Sequence, residues 1–75
     1  MTPLYQVVIH DIERQIAAGL LKPGDRIGST RELCAHYEVS KTVIAQALTI
    51  LKAQGVLEGA QGRGVFIVDN SGANG

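Results

Sequence analysis

Two helix-start signals stand so close together in this chain that almost nothing fits between the helices they open. "STRE", Ser29 to Glu32, has the form of a capping box, in which the Ser29 hydroxyl accepts from the Glu32 amide and the Glu32 carboxylate reaches back to Ser29. Ser40 is the second signal, a cap ahead of a run whose apolar residues Ile44, Ala47, Leu48 and Leu51 recur at helical spacing. The helix opened by Ser29 is therefore short, and it should bury Leu33, Tyr37 and Cys34 before Glu38 and Val39 break its pattern. Two helices joined this tightly, the second with a polar cap, form the helix-turn-helix layout.

The remaining segments surround that unit. "PLYQVVIHDIERQIAAG" places Leu4, Val8, Ile12 and Ile16 on one stripe, widened by Tyr5 and Ile9, while Gln6, Asp11, Glu13 and Arg14 fall largely elsewhere. This predicts an amphipathic helix that starts at Pro3 and ends at Gly19, followed by a turn at "KPGD", Lys22 to Asp25. After Gly55 the period changes: "VLEG" and "VFIV" are short β-branched runs on either side of "AQGRG", which predicts a small hairpin. Residues 69–75, "DNSGANG", read as a flexible tail or the stub of a linker. The expected fold class is mainly α with a small β-hairpin, in one domain over residues 1–68.

A chain of 75 residues has room for one domain only, and a composition that is 45% hydrophobic and 19% charged is that of a chain that folds. Seven basic residues balance seven acidic ones, so affinity for a polyanion has to come from local arrangement of charge. Cys34 is the single cysteine and pairs with no other in the chain; with no activating motif beside it, it reads as a packing residue in an intracellular, cytoplasmic protein. The apolar runs are far shorter than the roughly 20 residues that cross a bilayer, so no membrane contact is expected. His10 and His36 lack ligand spacing, which predicts no metal and no cofactor. No nucleophile–base–acid set or carboxylate pair can be assembled from the scattered acids and histidines, and an enzyme is not expected.

With helix, helix-turn-helix and glycine-tipped hairpin in that order, the chain resembles the DNA-binding domain of GntR-type bacterial transcription regulators, a winged-helix family. "PLYQVV" is similar to the opening of the family's first helix, "AAGLLKPGDRI" to its end and the turn, and "STREL" to the second helix. "VSKTVIAQALTIL" resembles the third helix and "AQGVLEGAQGRGVFIV" the approach and the wing, so the likeness runs from about Pro3 to Val68. It implies a three-helix winged helix-turn-helix. Two departures stand out. Where the family usually has leucine, proline and serine before the second helix, this chain has Ile27, Gly28 and Ser29, which should loosen the backbone. Where the family's third helix commonly reads arginine, any residue, threonine, valine, arginine, this chain has Lys41, Thr42, Val43, Ile44 and Ala45. An arginine bidentate to guanine is the commonest specific base contact, so Ala45 removes that preference and leaves apolar contact, such as with a thymine methyl.

If Ile44, Ala47, Leu48 and Leu51 face the core, the opposite face presents Lys41, Thr42, Ala45, Gln46 and Thr49, with Lys52 further along. Lys41 suits a phosphate or a guanine edge, Thr42 a phosphate, and Gln46 an adenine, which matches its paired donor and acceptor. The caps Ser29 and Ser40 mark helix starts whose free amides favour phosphate. The resemblance places Arg31 at a position that contacts DNA, and Arg63 sits at the wing tip between Gly62 and Gly64, where the backbone can approach a groove closely. The expectation is that the third helix reads while Arg31, Lys52 and Arg63 help to hold.

The partners expected on this reading are double-stranded DNA with two-fold-related half-sites and a second copy of the chain, as a homodimer of the full-length protein or on DNA. The resemblance implies a repressor more often than an activator. It also implies that an effector ligand binds only where a C-terminal domain exists outside this chain, which is either a fragment or a small protein in its own right. The alternative is a winged helix used as a protein-interaction module, which the neutral net charge and Ala45 would suit. Its mark would be an exposed apolar patch across the third helix and wing.

Overall fold

The computed structural model describes residues 1–60 and 62–69. Three helices, α1 (Leu4–Ala17), α2 (Thr30–Tyr37) and α3 (Lys41–Ala53), are combined with three short strands, β1 (Arg26–Gly28), β2 (Leu57–Ala60) and β3 (Gly64–Ile67). Gln61 at the wing and residues 70–75 of the expected tail lie outside the described residues.

The helix ends follow from local chemistry. At α1 the Gly19 amide donates to the Ile16 carbonyl and the Leu20 amide to the Gln15 carbonyl, a Schellman closure that needs the positive φ of Gly19, +79°. The same pair of bonds closes α3, from Gly55 to Lys52 and from Val56 to Leu51. At α2 the capping box is fully formed: the Glu32 amide donates to Ser29 Oγ at 3.1 Å and the Ser29 amide to Glu32 Oε1 at 3.0 Å. Ser40 caps α3 by accepting from the Val43 amide at 3.3 Å. Between α2 and α3 the chain reverses through Glu38, at a left-handed φ of 56°, the one such non-glycine among the described residues. That single residue makes the tight turn of the helix-turn-helix.

The core is built from Val8, Ile9 and Ile12 of α1, Leu33 of α2, Ile44, Ala47, Leu48 and Leu51 of α3, and Leu57, Val65 and Ile67 of the sheet. The four α3 residues are those whose spacing singled them out. Cys34 and Tyr37 are partly buried against this cluster, as a short amphipathic helix implies. Leu4 departs from expectation: it opens the stripe in sequence but is 57% exposed, because at the first turn of α1 no neighbouring element reaches over it. Tyr5 and Ile9 carry the stripe instead. Among the described residues no helix is long and apolar enough to cross a membrane.

The expected hairpin is present but is part of a larger sheet. β3 lies in the centre, antiparallel to β2 with Leu57 opposite Ile67 and Ala60 opposite Gly64, and antiparallel to β1 with Arg26 opposite Phe66 and Gly28 opposite Val65. A three-residue strand is too short to show a period of two, which is why "RIG" carried no strand signal. Gly28, expected to loosen the backbone, is buried in β1 at φ +133°, a conformation that favours glycine. It accompanies the irregularity in register between Arg26 and Gly28.

The capping box gives a pH prediction. Glu32 is held at about 2, well below its ordinary 4.5, first by the Arg26 guanidinium and then by the Ser29 amide and hydroxyl. A depressed carboxyl contributes stability that is present above 4.5 and is lost as pH falls towards 2. Both partners of the Arg26–Glu32 pair are about half exposed, so solvent screens it and this contribution is small. Thermal unfolding followed from about pH 5 downwards should show a declining midpoint of which Glu32→Gln removes a minor part, the depressed Asp11 carboxyl supplying more. Ser29→Ala, which removes the other half of the box, is expected to cost about 1 kcal/mol.

Candidate nucleic-acid interface

α3 divides cleanly into a buried and an exposed side. Ile44, Ala47 and Leu51 are fully inaccessible, whereas Lys41, Thr42, Ala45, Gln46, Thr49 and Lys52 are exposed. The separation follows from 3.6 residues per turn, which puts the apolar set on one arc and the polar set on the other. Thr42, Ala45, Gln46 and Thr49 line one shallow hollow together with Ile50 and with Tyr5 of α1. The chemistry of that surface is short and methyl-rich, with the Gln46 amide at its edge.

A second hollow lies between the wing and the start of α2. Ser29 and Thr30 form one wall, Gly59, Ala60, Gly62, Arg63 and Gly64 another, and Arg26 and Lys52 complete it. Thus Ser29 and the wing residues, far apart in sequence, share one cleft with three cationic side chains around it. The Arg63 amide donates to the Ala60 carbonyl at 2.9 Å, and Gly62 and Gly64 take φ of +79° and +108°, so the tip is a tight reversal. Arg31, Ser40 and Lys41 are exposed or cap a helix but line neither hollow.

Charge is disposed by specific pairings. Glu32, the acid nearest in sequence to Arg31, pairs instead with Arg26 at 2.6 Å. Arg31, Lys41, Lys52 and Arg63 have no salt bridge among the described residues, and their side chains are free to take an anion. On α1, Asp11 is engaged three times: Tyr37 Oη donates to it at 2.6 Å, Gln15 at 2.8 Å and Arg14 at 2.7 Å. Its pKa is lowered, chiefly by the Tyr37 hydroxyl, while burial and the Asp11 charge push Tyr37 upwards. This contact pins α2 against α1, and Tyr37→Phe is expected to cost about 1–2 kcal/mol of stability, measurable by urea unfolding.

Arg26 was not signalled by the sequence. It follows the "KPGD" turn on a strand too short to recognise, and only its basic side chain close to the capping box hinted at a role. Thr30 and Gly59, which line the second hollow, were likewise not singled out, and Tyr5, expected only as part of the buried stripe of α1, also lines the first. The large apolar side chains that are exposed among the described residues, Met1, Leu4, Val7 and Leu20, lie on α1, ahead of it or just after it. None is on α3 or the wing, where a protein-interaction module would carry them.

Residues 4–67 match the model of the family described as bacterial regulatory proteins, gntR family. The HTH-type transcriptional repressor YtrA of Bacillus subtilis is 31% identical over 70 residues, which are 93% of this chain and 54% of that protein. The Glc operon transcriptional activator of Escherichia coli K12 is 41% identical over 61 residues, 81% of this chain and 24% of that protein. This chain therefore spans about half of the first and a quarter of the second. Among solved structures, the DNA-binding domain of AraR in complex with operator ORR3 superposes with a TM-score of 0.85 at 34% identity, covering 91% of this chain and 82% of that one. Fold, order of elements and family match agree, and the chain is a winged helix-turn-helix domain belonging to the gntR family of bacterial regulatory proteins.

Proposed function

We propose that this domain binds double-stranded DNA in a sequence-dependent way and supplies the DNA-reading part of a bacterial transcription regulator, without catalytic activity. α3 enters the major groove, and the wing lies against the minor groove or the phosphate backbone. The observation that carries this reading is the cleft in which Ser29, Lys52 and Arg63 come together beside an exposed α3 face of small, methyl-bearing and amide side chains, on which no large apolar residue is fully exposed among the described residues. The likeness to the AraR domain, whose structure is a complex with operator DNA, supports it. Arg31 and Arg63 take phosphates or a groove edge; Lys41, Thr42 and the start of α3 at Ser40 take the backbone. Gln46 reads adenine, and Ala45 with the methyl groups of Thr42 and Thr49 faces thymine methyl groups. The Gly62 and Gly64 backbone allows the wing to approach closely.

Several features of the intact regulator follow the same reading. Residues 1–68 form the DNA-binding domain and 69–75 a tail or linker stub. Pairs of domains meet on two-fold-related half-sites, and an effector ligand acts only where a C-terminal domain exists outside this chain. The protein works in the cytoplasm. Of the relatives named above, YtrA is a repressor and the Glc operon protein an activator. One domain type thus serves both signs, and repression is proposed for the whole regulator rather than for this fold.

The test is a salt titration of binding. Two copies of the chain, fused head to tail to supply the second half-site, are titrated with labelled duplex at low and moderate salt. Retention at low salt that falls steeply as salt rises supports the reading, because release of counterions is the signature of phosphate contact. No retention at either salt by a folded protein overturns it. Gln46→Ala is expected to change sequence preference by about 1–3 kcal/mol at one base pair and to leave the salt dependence as it was.

A further inference from the structure

The wing is tied to the start of α2 by one side chain. Arg26 Nε donates to the carbonyl of Arg63 at the wing tip, at 2.7 Å, and a terminal guanidinium nitrogen donates to Glu32 Oε1 at 2.6 Å. The same Glu32 oxygen accepts from the Ser29 amide, and the Glu32 amide donates back to Ser29 Oγ. A continuous chain of bonds therefore runs from the wing tip through Arg26 to the cap of α2. Gly64 leaves room for it: a Cβ there would stand 3.0 Å from the Gly28 carbonyl oxygen and 3.1 Å from each of two Arg26 guanidinium nitrogens, tight enough to push the guanidinium aside. The glycine that a hairpin reading assigns to the turn also admits the arginine beneath the wing.

We propose that Arg26 is a positioning residue for DNA binding, a clamp that holds the wing tip in register with α2 so that Arg63 and the α2 face meet the duplex together. This rests on the DNA-binding reading above. Arg26 is not itself the phosphate contact, since its guanidinium is committed in two directions and its charge is matched by Glu32. As an ion pair with both partners roughly half exposed, the Arg26–Glu32 contact adds little to global stability, so its loss is felt in the order of the wing rather than in unfolding. Ordering a flexible tip at the moment of binding has a cost that a preset tip avoids.

Arg26→Met keeps the length of the stem and removes the donors. In the free protein, nuclear relaxation of the Gly62, Arg63 and Gly64 amides should report faster motion in this variant, with the α1 and α3 amides unchanged. In the fused two-copy protein, duplex affinity should fall about three- to tenfold per domain, with the slope of affinity against salt unchanged because no phosphate contact is lost. Combined with Arg63→Ala, the loss should be smaller than the sum of the two, since Arg26 acts through the position of Arg63. The proposal is overturned by wing amides as rigid as before, by additive losses, or by a salt slope that drops by about one, which would make Arg26 a phosphate contact. If the unaltered protein binds no duplex, the DNA-binding reading fails, while the relaxation comparison still decides whether Arg26 clamps the wing.

Discussion

Leu51→Ala is expected to bring the domain close to its unfolding threshold. Leu51 is fully inaccessible on α3, the helix that packs on α1, α2 and β2 alike. Truncating a leucine in such a position costs about 2–5 kcal/mol, the lost transfer free energy plus the cavity left behind. A chain of 75 residues has a total stability of about 4–11 kcal/mol, so one substitution removes a large share. Urea unfolding should show the midpoint lowered by about a fifth or more, in proportion to that share, with an unchanged slope. Ala53→Ser at the exposed end of the same helix should shift the midpoint little, at most about 0.5 kcal/mol. If Leu51→Ala proved as mild as that, the packing described for α3 would be wrong.

The second large effect concerns binding rather than folding. Arg31→Ala combined with Arg63→Ala is expected to weaken duplex affinity on the order of 10- to 100-fold, on every DNA sequence alike. The slope of log affinity against log salt should fall by about two, close to one counterion for each arginine. Both side chains are exposed and without a salt bridge among the described residues, so the fold should be untouched, and circular dichroism checks this. The uniformity across sequences is the informative part. Phosphate contacts hold without reading, whereas on the proposed reading the Gln46 face of α3 discriminates sequence without much charge. Undiminished affinity in the folded double variant would sink the basic-face account.

Much of this was legible in the sequence, for reasons that can be traced residue by residue. The helix starts at Ser29 and Ser40 and the closures at Gly19 and Gly55 are local, since each depends on residues within a turn of one another. The buried arc Ile44, Ala47, Leu48 and Leu51 is legible because burial and helical period coincide there. At Leu4 they do not, since whether the first turn of a helix is covered depends on a neighbour that no local pattern announces. β1 was missed because it is a strand only by virtue of its pairing with β3, residues distant in the chain. The same distance hid Arg26, whose partner at the wing tip is far along the sequence, and with it the second reason for Gly64. Contacts that join remote segments decide the shape of the candidate interface, while the exposed arc of α3, Lys41, Thr42, Ala45, Gln46 and Thr49, follows from the helical period of one segment alone.

The central claim, that α3 reads while its neighbours hold, is tested most directly by selecting duplexes from a randomised pool with the fused two-copy protein and sequencing those retained. The account predicts a single enriched half-site with A·T pairs where Ala45 and Gln46 face the groove, without the guanine that an arginine at Ala45 would demand. Retention of the pool with no enriched motif would contradict it, since a domain that holds DNA through Arg31 and Arg63 but reads nothing through α3 would leave every sequence equally represented.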